Sequence, residues 1–255
     1  MFKPIQYINT QSLIPELTYM EYTPSSYLSN FISCYWIVET NNEEVKTISH
    51  RILPDGCMDI VFDFIDHSAF ICGIADKTEN LILDGKVKYL GIRFLPQSIS
   101  YILKTDTPSS LNARFTLDNI SKSLTKMGAT VLEKNNLSEC INIIEYYLSS
   151  LFKNYKINER FNLLLNHVLD SRGVITVKEL SNYHFISEKQ IGRYFINNIG
   201  ISTKPFLRIL RFQNAYQHLG SYKHSKITLA LDTGYYDQSH LIKDLKHFLE
   251  NINNT

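Results

Sequence analysis

Three groups of side chains in this 255-residue chain have types and spacing suited to chemistry, and the chemistry is recognition rather than turnover. The first is Ser187, Lys189, Gln190 and Arg193, in which the two cations stand four residues apart. The second is Gln238, Ser239, His240, Lys243 and Lys246, again polar and basic at helical intervals. On a helix, residues three and four apart share one face, so each group forms a single hydrogen-bonding surface if its segment is helical. The third is Trp36 with Arg93, an aromatic platform and a guanidinium able to bind an anionic small molecule. Its plainer alternative is a structural ion pair and a core tryptophan.

The flanking sequence predicts the elements that position the first two groups. Thr176 followed by Glu179 is a reciprocal capping pattern, so a helix is expected to start there and run to about His184. Ser187 followed by Gln190 repeats the signal and predicts a second helix over Glu188 to Asn198. Ile191, Tyr194 and Phe195 would pack inward on Leu180 and Val177, leaving Glu188, Lys189, Gly192, Arg193 and Ile196 outward. The pattern recurs from Ile227 to Phe248. Ala230 is small enough for a close helix crossing, Gly234 ends one helix and Asp237 caps the next. These are two helix-turn-helix units. Between them Ser202 to Leu219 reads as one long helix, with Pro205 tolerated in its first turn and Phe206, Leu207, Leu210 and Ala215 buried. A rigid helix there would hold the two outward faces about one duplex turn, roughly 34 Å, apart. An α-helix fits the DNA major groove, where Lys and Arg reach guanine acceptors or phosphates. Asp237 is better placed to cap than to contact a base, and His240 can equally pack locally.

On these residues the sequence resembles the arabinose-regulator (AraC-type) transcription factors. The resemblance is carried by Ser187 to Phe195, Gly200 to Gln213 and Leu229 to Lys246, with the Asp-Gln-Ser-His run after a Gly-Tyr turn as its most specific part. Cys34-Tyr35-Trp36, Leu53-Pro54-Asp55-Gly56 and Gly91 to Pro96 resemble a sensor domain found attached to such regulators. The resemblance implies double-stranded DNA as partner, an effector bound by a barrel-like N-terminal domain, no cofactor, and a homodimer or an RNA polymerase contact as further associations. Some positions depart from the family pattern: Phe185 stands where glycine is common, Gly192 replaces a polar reading residue, and Ile196-Asn197 replace basic ones. The sequence ends at Thr255 without the Gly-x-Ser-Pro continuation that follows the first unit in altered form, so the last helix is expected to fray.

The expected fold class is α+β. Strand-like stretches at Phe31 to Glu39, Val45 to Leu53, Met58 to Phe64, Ala69 to Ile74 and Lys88 to Leu95 alternate with turn signals and predict a small antiparallel barrel or sandwich, cupin-like in the family's terms. Within the last of them Arg93 points opposite to Leu90, Ile92 and Phe94. Pro54-Asp55-Gly56 reads as a tight turn. Leu117 to Met127, Leu137 to Lys153 and Asn158 to Ser171 read as helices, with joints near Asn135 and at 154–158. The expected organisation is a sensor domain over 1–115, a helical linker over 116–156 and a DNA-binding domain over 157–255.

Composition sets the remaining bounds. A hydrophobic content of 44% is ample for real cores, and a net charge of +1 predicts no bulk affinity for polyanions. The charge is uneven, however: residues 171–255 carry 11 Lys and Arg against 6 Asp and Glu, and residues 1–170 carry 15 against 19, so the basic excess lies with the reading units. The reading helices read as nearly neutral, with Glu188, Asp237 and Asp244 offsetting Lys189, Arg193, Lys243 and Lys246, which predicts a shallow salt dependence. Cys34, Cys57, Cys72 and Cys140 lack metal-ligand spacing and read as reduced core residues of a cytoplasmic protein. The start Met1-Phe2-Lys3-Pro4 has no signal-peptide pattern, and no apolar run approaches the ~20 residues that cross a bilayer.

The residues bear on two other function classes. A metal-dependent barrel enzyme needs two or three histidines with a carboxylate, whereas the first 160 residues contain only His50 and His67. No Gly-x-Ser-x-Gly elbow, phosphate-cradling glycine loop or HExxH occurs. The alternative that survives is a partner-binding regulator whose reading helices have weakened or lost DNA contact.

Overall fold

The protein is described as a computed structural model covering residues 4, 6, 16–41, 47–156, 158–219 and 226–249. Among the described residues alternating β-branched and aromatic residues build eight strands: β1 (Leu17–Tyr22), β2 (Ile32–Thr40), β3 (Ile48–Ile52), β4 (Met58–Asp63), β5 (Ser68–Cys72), β6 (Glu79–Leu83), β7 (Lys88–Phe94) and β8 (Arg114–Thr116). Six of them pair antiparallel in the order β1-β2-β7-β4-β5-β8, and β3 with β6 forms a separate antiparallel ribbon. Turn chemistry sets the β4–β5 hairpin. The Asp63 carboxylate accepts from the Ile65 and Asp66 amides at 2.9 and 3.0 Å, and His67 takes a left-handed φ of 48°.

The strand period of two divides the large sheet into two faces. Tyr35, Ile37, Ile60, Phe62, Leu90, Ile92 and Phe94 lie on one and join the main core. Trp36, Val38 and Tyr89 lie on the other and pack with Ile48, Leu81 and Leu83 of the ribbon. Arg93 sits on that second face, as its alternation with Leu90, Ile92 and Phe94 requires. The N-terminal architecture is therefore two facing antiparallel layers, with the expected strands present and β1, β6 and β8 in addition.

The helical residues follow. α1 (Ile99–Leu103) leads into α2 (Lys122–Leu132) and α3 (Leu137–Phe152), which pack on each other and cover the main-core face of the sheet through Leu124, Met127, Ile144 and Leu148. The helix expected over Leu117 to Met127 lies five residues later. Ser121, whose hydroxyl accepts from the Ser123 amide, caps α2, while Leu117–Asn119 forms a 3-10 turn. At the end of α3, Phe152 stacks on Phe31 with ring centres 4.1 Å apart, and Tyr101 and Tyr155 close around it. Sheet, α1 and α3 are joined by this aromatic knot, worth about 1 kcal/mol per good ring pair beyond the area buried.

The remaining helices are α4 (Glu159–Asp170), α5 (Val177–His184), α6 (Glu188–Ile199), α7 (Thr203–His218), α8 (Lys226–Asp232) and α9 (Gln238–Leu249). α5–α6 and α8–α9 are the two helix-turn-helix units. α7 links them and is covered on more sides than its pattern suggested: Ile209, Phe212, Gln213 and Asn214 are buried along with Phe206, Leu207, Leu210 and Ala215. The strand-rich part, α9 and Arg172 share the cover: Phe212 packs on Phe248 with ring centres 4.4 Å apart, and Asn214 accepts from Arg172 at 3.3 Å. Gln213 donates to the Pro54 carbonyl at 2.8 Å, and the Phe206 ring comes within 2.9 Å of where a Cβ on Gly56 would sit. Gly56, at φ +77°, is the residue type that both the backbone turn and this close approach allow. The 3-10 segments around α1 rest on α6, and the Thr78 hydroxyl donates to the Phe248 carbonyl of α9.

Among the described residues no helix is long and apolar enough to cross a membrane. The cysteines form no disulfide; Cys34, Cys57 and Cys140 are buried and Cys72 partly so. Burial pushes the Cys34 and Cys72 thiols up to about 12, away from reactive thiolate. The expected fraying after α9 and the first residues of the chain fall outside the described residues, as does part of the 154–158 joint.

Candidate nucleic-acid interface

The first unit is built by its caps. Thr176 Oγ1 accepts from the Glu179 amide at 3.1 Å, and the Glu179 carboxylate accepts from the Thr176 amide at 2.8 Å, closing the full capping box. Glu179 is held below the usual carboxylate range by the hydrogen bonds its carboxylate accepts from the Thr176 amide and hydroxyl. Only half of the second box forms: Ser187 Oγ accepts from the Gln190 amide at 3.3 Å. Phe185 makes the turn in a left-handed conformation, φ 53°, with its ring 92% exposed.

Ile191, Phe195 and Ile199 bury the inner side of α6 and Tyr194 is half-buried. Ser187, Lys189, Gln190, Arg193, Ile196 and Asn197 are exposed. Ser187, Lys189, Gln190, Arg193 and Asn197 border one shallow depression of about 440 Å³. Beside it, nothing lies within 4 Å of where a Gly192 Cβ would stand, so the surface is flat there. At the start of the helix, unpaired amides and the dipole favour an anion.

In the second unit Asp237 Oδ1 accepts from the His240 amide at 2.7 Å, the N-cap expected of it. Gly234 closes α8 at φ +80°. Ser239, Lys243 and Lys246 are exposed on one helical row, and Gln238 and His240 are half-exposed. The His240 ring meets Tyr235 edge to face at 5.1 Å, so part of it serves local packing.

Asp244 corrects the charge balance. It does not offset Lys243 and Lys246 on the outer face: it is 3% exposed and pairs with Arg208 of α7 at 2.8 Å. The outer face of α9 is more cationic than the composition of its helix, because the acid points inward where a helical partner neutralises it.

Trp36 and Arg93 come together between the two β layers. Arg93 Nη2 donates to Asp59 Oδ2 at 3.2 Å, its Nε lies 3.3 Å from Asp55 Oδ2, and Trp36 Nε1 donates to the same Asp59 oxygen at 3.1 Å. Strand register is the cause, since Asp59 and Arg93 are direct partners across β4 and β7. Gln6 donates to Asp55 at 2.7 Å and closes the cluster from the N-terminal side. Arg93 Nη1, Asp59 Oδ1 and His50 Nδ1 are buried with no hydrogen-bond partner in the described protein. Burial pushes Asp59 above the usual carboxylate range although Arg93 opposes it. Among the described residues no three His, Cys, Asp or Glu side chains are grouped to hold a metal ion. Asp55 and Asp59 were missed from sequence as partners of Arg93; the signal available was the acid and base in neighbouring strands on one face.

His50 provides a pH test of this interior. Burial, with Arg93 adding, lowers its pKa to about 4, so the native state holds it neutral while the unfolded chain binds a proton near 6.5. Between those values the unfolded state binds more protons, and stability falls as pH falls. The contribution reaches up to about 3 kcal/mol by pH 4. Asp59, with its raised pKa, acts in the opposite direction. His50→Gln is expected to be less acid-sensitive than the parent between pH 6.5 and 4 in urea denaturation; parallel pH profiles would remove His50 from the account.

Residues 20–115 match a family described as a domain of unknown function (DUF6597). No curated protein matches the chain. Among solved structures the chain is similar to an apo variant of ToxT from Vibrio cholerae, at 7% identity over 92% of this chain and 93% of that one, with a TM-score of 0.39. A 1.65 Å structure of ToxT from the same organism gives 11% identity, coverage of 92% and 94%, and a TM-score of 0.36. A third, of wild-type ToxT with unsaturated fatty acid bound, gives 10% identity, 90% of each chain and 0.35.

Proposed function

We propose that this chain is a sequence-specific DNA-binding transcriptional regulator controlled by a small-molecule effector. The observation that carries the reading is the pair of outward helix faces, Lys189 with Arg193 on α6 and Ser239 with Lys243 and Lys246 on α9, borne by two helix-turn-helix units on one linking helix. In this reading residues 1–115 sense, 116–156 form the helical linker and 157–255 read DNA. Lys189, Arg193, Gln190, Gln238, Ser239 and Lys243 contact base edges, Ser187 and Lys246 position phosphates, and Ile196 offers an apolar contact to a thymine methyl. His240 contributes at most from its exposed edge. Trp36 and Arg93 belong to the effector side, and the loop from Leu53 to Cys57 would pass a change at Arg93 to α7, because Asp55 faces the arginine and Pro54 accepts from Gln213. A ligand shifts the equilibrium only by its differential affinity for the two states.

Selection of bound duplexes from a random pool, followed by anisotropy titration, tests the reading. Arg193→Ala is expected to cost about 1 to 3 kcal/mol on the selected duplex and to relax base preference at one position. An unchanged isotherm removes Arg193 from the interface. A pool that enriches no motif favours the partner-binding alternative, for which the exposed Phe185 and Tyr236 at the two turns, 92% and 87% accessible, are the natural contact points.

A further inference from the structure

A second concavity has no part in the reading of DNA. It lies where the start of α5, the length of α7, the end of α9 and the segment after β5 converge, with a volume of about 540 Å³. That is within the range of small-molecule sites. Its walls are apolar through Ile175, Val177, Pro205, Leu207 and Phe248, and its polar rim is mostly cationic, through Lys204, Arg208 and Arg211 at helical spacing on α7.

The charges do not cancel. Arg208 is matched by buried Asp244 at 2.8 Å and lies over the Phe248 ring at 5.1 Å. Among the described residues Asp76 is the one acid on the rim, and Asn112 holds it by donating at 2.9 Å. His247 has its pKa lowered by burial first and by Arg208 second, so it adds no charge at neutral pH. Among the described residues two cations, Lys204 and Arg211, then face one carboxylate. Arg211 Nη1 donates to the Gly173 carbonyl at 3.4 Å and its guanidinium lies over Tyr235 at 5.8 Å, but its buried Nε has no acceptor. Lys204 is exposed on this wall and Arg211 is half-buried beside it, and charged donors of this kind make the stronger hydrogen bonds to an anion.

We infer that this cleft binds an amphipathic monoanion, a carboxylate or sulfonate on a compact apolar body, with the acid group at Lys204 and Arg211 and the body against Leu207 and Phe248. The occupant would touch both helix-turn-helix units and the strand-rich part at once. As a regulatory site it rests on the DNA-binding reading; as a binding site it does not.

The test uses the full chain without DNA and two fluorescent probes with the same ring system, 1-anilinonaphthalene-8-sulfonate and its uncharged relative N-phenyl-1-naphthylamine. The sulfonate is expected to bind saturably at one site, at least about tenfold more tightly than the neutral probe, the effect of one charge-assisted contact. Lys204 is exposed, so Lys204→Met should leave the thermal melt unchanged, weaken the sulfonate about tenfold and leave the neutral probe unaffected. Ile175→Trp should fill the cleft and abolish both. Equal binding of the two probes, or sulfonate binding that ignores both substitutions, overturns the inference, and so does the absence of binding. A chain that binds the sulfonate in this way but enriches no duplex keeps the site and loses the DNA reading.

Discussion

Replacing Arg93 with methionine is expected to cost about 3 to 5 kcal/mol of folding stability, because it leaves two carboxylates between the β layers without their cation. Asp55 and Asp59 lie 3.3 and 3.2 Å from the guanidinium, and Arg93 itself is 5% exposed, so water cannot replace it. Burial already raises Asp59, and without Arg93 it would rise further. The loss should therefore shrink as pH falls and the carboxyls take up protons, a signature that simple loss of packing does not produce. Pairing the substitution with Asp59→Leu should recover part of the loss, since a buried pair replaced by apolar groups is often near neutral. Urea denaturation of the parent, the single and the double variants at pH 5 and 7 measures this. A cost below about 1 kcal/mol, or one independent of pH, would sink the claim that the ion cluster organises the sheet interior.

Phe206→Ala should be comparably severe, at about 3 to 5 kcal/mol. Phe206 is fully buried, its ring centre lies 5.6 Å from that of Phe195 in α6, and its edge lies on Gly56 of the strand-rich part. Truncation opens a cavity where sheet loop, α6 and α7 meet, so the two halves should also lose cooperativity. Calorimetry is expected to resolve two transitions in the variant against one in the parent. One transition with an unchanged midpoint would show that the junction contributes little to coupling.

The parts of this architecture legible in sequence were those with local causes. Thr176 and Glu179, Ser187, and Asp237 announce helix starts through hydrogen bonds that span three residues or fewer, and all three occur where the spacing placed them. The alternation of β7 likewise placed Arg93 opposite Leu90, Ile92 and Phe94. What was not legible depends on distant neighbours. β1, β6 and β8 are short or lie at sheet edges, and Glu79 and Asn80 dilute the apolar pattern of β6. Gln213 and Asn214 of α7 look solvated in a polar run but are buried, Gln213 by a loop more than 150 positions earlier. Asp244 looked like a surface acid for the same reason, its partner lying on another helix. The outer faces of α6 and α9 could be read because exposure there follows from the apolar stripe behind them.

The five residues from Leu53 to Cys57 carry a consequence for anyone who would rebuild this molecule. Asp55 completes the ion cluster, Gly56 admits Phe206, and Pro54 receives Gln213, so one turn is shared property of both halves. A chimera that transplants the strand-rich half onto a foreign helical half must carry its own matching helix, or sacrifice the turn's outer contacts. A breakpoint near 153–158 separates this turn from α7, so recombination between relatives there should be tolerated only when the incoming α7 keeps side chains matching Phe206 and Gln213.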